Sequence, residues 1–180
     1  MSGHAAHVPR YIGLVRGINV GGKNKVPMGE LRSLFEALGC TEVSTFIQSG
    51  NVLFSSQGPI EPTQLQRALA KELLINTAVV LRTPRDLRAV VERNPYQHVD
   101  PSTLHVGFLA EKPSTVAIGG LETARFAPEE CIAVRKELYL HLPNGMARAK
   151  LPAYLERRLK IPITIRNWNT VTELLGLAGG

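Results

Sequence analysis

Glu42-Val43-Ser44-Thr45-Phe46-Ile47-Gln48-Ser49-Gly50-Asn51-Val52-Leu53-Phe54-Ser55 is the stretch on which the fold turns. From Glu42 to Gln48 the side chains alternate. Val43, Thr45 and Ile47 share one face and Ser44, Phe46 and Gln48 the other, the period of a half-buried strand. Ser49-Gly50 is a two-residue turn signal and Asn51 to Ser55 returns, so the segment predicts a β-hairpin. On its N-terminal side, Met28, Leu31, Leu34, Phe35 and Leu38 repeat at helical spacing. Pro27 stands at the first helical position and Gly39 just past the end. Before that helix, Tyr11 to Arg16 is a short apolar run that reads as a buried strand. On the C-terminal side, Thr63 to Leu74 aligns Leu65, Leu69 and Leu73 as a helix, and Ala78 to Arg82 reads as a further strand. The order is β-α-β-β-α-β, the split βαβ or ferredoxin-like unit.

The rest of the chain reads as a looser copy. Pro84 to Arg93 is a helix with Asp86 in its first turn, where a carboxylate suits the helix dipole. Residues 95–103 are rich in Pro, His and Ser and read as a linker. Leu104 to Ala110 is a strand, and Ser114 to Thr123 is a short helix. Cys131 to Arg135 pairs with Leu138 to Leu142 around Lys136-Glu137. Pro152 to Leu159 is a helix and Ile161 to Arg166 a strand. Thr170, with Glu173 three residues on, reads as the cap of a last helix. The expected fold class is α+β: tandem ferredoxin-like (split βαβ, α/β-plait) units with antiparallel sheets and extra helices. Residues 1–9 form a flexible tail, 10–94 the first unit with its linking helix, and 104–180 the second.

Composition narrows the function classes. The 180 residues carry 21 Lys and Arg against 15 Asp and Glu, a net charge of +6, with 44% apolar and 20% charged residues. This is a globular inventory, and no apolar run of about 18 residues predicts a membrane span. Met1 to Pro9 lacks the apolar segment of a secretory signal. His4 and His7 in that stretch are spaced for a weak metal site, although a tail is the simpler reading. The two cysteines, Cys40 and Cys131, fit ordinary thiols in a reducing cytoplasm. Only Asp86 and Asp100 are aspartates, and no carboxylate cluster is visible, so multi-metal phosphoryl transfer is disfavoured. No Cys/His spacing fits zinc. No Gly-x-Gly-x-x-Gly follows the first strand, so no dinucleotide cofactor is expected. Ser49 lies outside any nucleophile elbow, and nothing ties it to His98 and Asp100.

Charge is unevenly placed. Arg10, Arg16, Lys23 and Lys25 occur with no acid between residues 10 and 25. Arg148, Lys150, Arg157, Arg158, Lys160 and Arg166 occur with Glu156 alone. Gly17-Ile18-Asn19-Val20-Gly21-Gly22-Lys23-Asn24 resembles a P-loop in its spacing. Asn24 stands where a magnesium-binding Ser or Thr belongs, however, and Pro27 delays the helix. Adjacent glycines can still gather backbone N–H groups round an anion, with Lys23 and Lys25 supplying charge. Arg16 ends the first strand where a guanidinium can fork onto a phosphate. At the hairpin tip Gln48 and Asn51 can orient a ligand, although Asn51 also suits turn chemistry. Trp168 either fills the core or stacks on a base or sugar.

Three strings, Leu14 to Met28, Phe46 to Val52 (Phe-Ile-Gln-Ser-Gly-Asn-Val) and Thr164 to Val171 (Thr-Ile-Arg-Asn-Trp-Asn-Thr-Val), resemble the bacterial domain-of-unknown-function family numbered 1697. The resemblance implies tandem plait-like units, a cytoplasmic bacterial protein, and no activity, catalytic residue or cofactor to carry over. It also implies one cleft that gathers Arg16, Lys23, Asn24, Gln48, Arg166 and Asn167. The leading expectation is a phosphate-bearing ligand, a nucleotide or nucleic acid, bound by Arg16, Asn19, Gly21, Gly22, Lys23, Asn24, Lys25, Gln48, Asn51, Arg166, Asn167 and Trp168. Two other readings stay open. One is a metal-independent enzyme acting on a small anionic metabolite, with Glu30 or Glu36 as base. The other is a protein-interaction module. The sequence sets no oligomeric state.

Overall fold

The computed structural model describes residues 8–179. The tail expected over 1–9, with His4 and His7, lies outside them except for Val8 and Pro9. The chain divides into two compact units, Met1–Pro84 and Arg85–Gly180. Each carries one four-stranded antiparallel sheet, and the described residues form six α-helices in all.

In the first unit, β1 (Arg10–Val15), β2 (Thr41–Phe46), β3 (Asn51–Ser55) and β4 (Val79–Arg82) align in the order β2-β3-β1-β4. Every neighbouring pair is antiparallel, so β1 runs parallel to β2 with β3 between them. Helices α1 (Met28–Ala37) and α2 (Pro62–Glu72) make the two crossovers. The core draws Leu31, Leu34 and Phe35 from α1 and Leu65 and Leu69 from α2, packed with Val15, Val52 and Phe54 of the sheet. Phe35 meets Phe54 edge to face at 5.1 Å. Gly13 of β1 packs beside this pair, where an added Cβ would lie 3.4 to 3.5 Å from both rings, an ordinary van der Waals contact. Pro27 precedes α1 in extended conformation, one position earlier than expected. Pro62 opens α2, where Gln64 Oε1 accepts from the Glu61 backbone N–H at 2.9 Å.

In the second unit, β5 (Leu104–Leu109), β6 (Glu130–Val134), β7 (Glu137–His141) and β8 (Ile163–Asn167) repeat the arrangement as β6-β7-β5-β8. Helices α4 (Thr115–Gly119) and α5 (Leu151–Leu159) lie at the crossovers, and α3 (Pro84–Glu92) and α6 (Trp168–Leu177) are added. The Tyr139 hydroxyl of β7 donates to the Val90 carbonyl of α3 at 2.7 Å. The Glu129 carboxylate accepts from the Lys150 and Leu151 N–H groups where α5 starts, satisfying donors that no helix turn can reach. Tyr96 N–H donates to Asn94 Oδ1, and Ser102 N–H to Asp100 Oδ1, so residues 95–103 are ordered by local turns.

The two units repeat one detail. Arg82 stands opposite Ile12 and Arg166 opposite Val106, the third residue of the first strand in each sheet. Both arginines are buried, and each donates to the carbonyl of the residue before it at 2.9 Å. The duplication expected from element order therefore extends to a paired side chain.

Candidate functional site

The chain between β1 and α1 is a miniature hairpin folded on itself. Ile18 is fully buried and anchors it to the core. Lys23 N–H donates to Val20 O at 3.1 Å, and Gly21 and Gly22 hold the two central positions with φ of 58° and 75°. Positive φ at both central positions is the type I′ turn that a two-residue hairpin prefers, and glycine adopts it without strain. Asn19 and Asn24 also sit in the left-handed region. Asn19 N–H donates to Asn24 O at 3.0 Å, and the Asn24 amide to Gly17 O at 3.2 Å. Asn19 is tied to Val26 as well: Val26 N–H donates to its Oδ1 at 2.8 Å and its Nδ2 donates to Val26 O at 2.9 Å. The loop thus holds its shape through its own amides and presents Lys23 and Lys25 to solvent.

The β2–β3 turn is longer than the two residues expected. It runs over residues 47–50, with φ of 48° at Ile47 and 79° at Gly50. Gly50 O accepts from Val15 N–H at 2.8 Å. Asn51 is fully buried, and its amide donates to Phe46 O and Ser49 Oγ, so it closes the turn from inside. Because Gly50 is bonded to the end of β1, the hairpin tip lies beside the glycine loop. Gln48 from the tip and Asn19, Gly22 and Lys25 from the loop line one groove of about 380 Å³, completed by Val26 and Pro27.

Four of the expected ligand residues therefore share a concavity: Asn19, Gly22, Lys25 and Gln48. Gly21, Lys23 and Asn24 lie on the same loop beside it. Arg16 is half-buried, and its carbonyl accepts from Thr77 Oγ1 at 2.7 Å. Sequence reasoning missed Val26 and Pro27 as walls of the groove, although both follow Lys25 directly.

Arg166, Asn167 and Trp168 belong to the second unit. Arg166 is buried, donates to Thr164 Oγ1 at 2.8 Å, and desolvation brings its pKa down to about 10. Asn167, and not Thr170, caps α6: its Oδ1 accepts from Thr170 N–H at 2.8 Å. The last helix accordingly starts at Trp168, which is half-buried.

Among the described residues no three His, Cys, Asp or Glu side chains gather as a metal site, and no helix is long and apolar enough to cross a membrane. Glu30 and Glu36 are both exposed. Cys40 and Cys131 are free thiols, and burial pushes Cys131 up to about 12.

The family described as "Protein of unknown function (DUF1697)" matches residues 8–139. No curated protein matches the chain. The solved structure of conserved bacterial protein SP0830 from Streptococcus pneumoniae is similar over 96% of this chain and 99% of that one, with 28% identity and a TM-score of 0.72.

Proposed function

The chain belongs to the DUF1697 family of proteins of unknown function, and from that premise we propose that it binds a phosphate-bearing ligand, a nucleotide or a nucleic acid, at the Gly17–Lys25 loop. The observation that carries this reading is the shared groove of Lys25, Gly22 and Gln48. A cation, a glycine backbone and a neutral amide there face one space, the set needed to neutralise a phosphate and orient what it is attached to. Lys23 adds charge at the rim, and Asn19 keeps the loop in shape through Val26. The net charge of +6 favours an anionic partner in general. In the same reading each unit is a ferredoxin-like plait, supported by the strand orders β2-β3-β1-β4 and β6-β7-β5-β8. Two free cysteines and a bacterial relative support a bacterial cytoplasmic setting.

The test is a low-salt thermal-shift screen with nucleotides, sugar phosphates, single strands and duplexes. At a hundredfold excess over Kd a ligand adds about 2.7 kcal/mol. The shift is expected to vanish in the Lys23→Ala, Lys25→Ala double variant, whose apo Tm stays at the wild-type value because both side chains are exposed. A steep loss of affinity with salt identifies nucleic acid, and a shallow one a small ligand. No shift with any phosphate compound overturns the proposal.

A further inference from the structure

A larger concavity of about 1060 Å³ lies on the first unit between α1 and α2. Leu34, Leu38, Ala68 and Leu73 give it an apolar lining, and Leu38 is 41% exposed. From α1 it is faced by Gly29, Ser33 and Ala37, four residues apart and so on one side of the helix. These small side chains leave the α1 backbone open to close approach by another helix. The two rims differ in net charge, with Glu30 on α1 and Arg67, Lys71 and Glu72 on α2, where the two bases outnumber the one acid. Lys71 has only its neighbour Glu72, at 3.1 Å in an exposed pair, and among the described residues neither Glu30 nor Arg67 has an ion pair. The sheet topology makes α1 and α2 antiparallel, since each runs back along strands of opposite direction. The first turn of α1, with Glu30, therefore lies level with the last turn of α2, with Lys71.

We propose that this groove is occupied by a second copy of the same chain, each copy seating its α1 in the groove of the other about a two-fold axis parallel to the helices. The argument is charge complementarity under that symmetry. A two-fold interface must satisfy itself, and here the acid of one rim meets the bases of the other. With α1 of one copy between α1 and α2 of the other, the small faces Gly29-Ser33-Ala37 abut. Leu38 leaves solvent, and Glu30 of each copy reaches Lys71 and Arg67 of the other. A partner of single charge sign would meet like charge on one rim. This inference is independent of the phosphate-binding proposal, because it uses a different face and different residues.

Analytical ultracentrifugation of the full chain across a range of concentrations tests it. The wild type is expected to show a monomer–dimer equilibrium. Ala37→Glu is expected to abolish the dimer. Glu30→Lys and Lys71→Glu, both at exposed positions, are each expected to weaken it about tenfold or more, and the double charge swap to recover it. Circular dichroism shows that each variant is folded. A wild type that is monomeric throughout, a dimer that Ala37→Glu leaves intact, or a charge swap without recovery overturns the proposal. In those cases a helix of another protein or an amphiphilic small molecule is left as the occupant.

Discussion

Asn19 and Val26 exchange two hydrogen bonds between the asparagine carboxamide and the valine backbone, at 2.8 and 2.9 Å. This pair closes the base of the glycine loop, and Asn19 adopts a φ of 56° to make it. Asn19→Ala removes both bonds and puts a residue without local side-chain bonding in the left-handed region. The expected cost is about 2 kcal/mol in urea denaturation. Asn19→Asp keeps the acceptor and tolerates that φ, yet sets a carboxylate against Val26 O, for about 1 kcal/mol. An alanine variant as stable as wild type would show that the loop needs no brace.

Gly50 and Gly21 both have positive φ, but their surroundings differ. A Cβ on Gly50 would lie 2.7 Å from Val15 O and 2.9 Å from Ile18 Cγ1, while a Cβ on Gly21 would meet nothing within 4 Å. Gly21→Ala is therefore expected to cost about 1 kcal/mol of backbone strain. Gly50→Ala adds steric conflict with backbone and core, for about 3 kcal/mol or more. Equal effects in parallel denaturation curves would contradict this placement of the hairpin against β1.

Ile47 is a β-branched residue at a φ of 48°, and it is 51% exposed. The strain is not offset by full burial. Ile47→Asn suits the left-handed region and is expected to raise stability by about 1 kcal/mol, while Ile47→Val keeps the strain and gains nothing. If Ile47→Asn also weakens ligand binding, the strained residue serves the neighbouring Gln48. A stability loss in Ile47→Asn would refute the strain.

His105 of β5 is buried, and its Nδ1 has no hydrogen-bond partner among the described residues. Desolvation lowers its pKa below the ordinary 6.5, against a smaller opposing effect of the nearby Thr103 backbone. The unfolded chain then binds the proton more readily than the folded one. Stability is fully present above pH 6.5 and is lost as pH falls through 6.5 towards the depressed folded value. In His105→Leu this contribution disappears. The difference between the two stability-versus-pH curves is expected to slope below pH 6.5 and to be flat above it. Parallel curves would mean that His105 titrates normally.

The order of strands and helices was legible because each element writes its period locally. Leu31, Leu34 and Phe35 lie on one side of α1 whatever else the chain does, and they are buried as that spacing requires. Element ends were less legible. Two asparagines and a threonine around Trp168 all suit a helix start, and only the bond from Thr170 N–H to Asn167 selects the cap. Ser49-Gly50 is a strong local signal for a two-residue turn. Strand pairing instead stops at Phe46 opposite Asn51, leaving Ile47 outside the ladder.

What the sequence alone determined was the α+β order of elements, the duplication, the family resemblance and the basic, glycine-rich character of residues 17–25. Periodicity, turn chemistry and charge are properties of neighbouring residues. Only the tertiary structure decided that Gln48 and Lys25 line the same groove, that Asn51 faces inward, and that Arg166 is buried. Those facts follow from which strand pairs with which. The Gly50–Val15 hydrogen bond that sets two loops side by side joins residues far apart in the chain, and no local pattern encodes it.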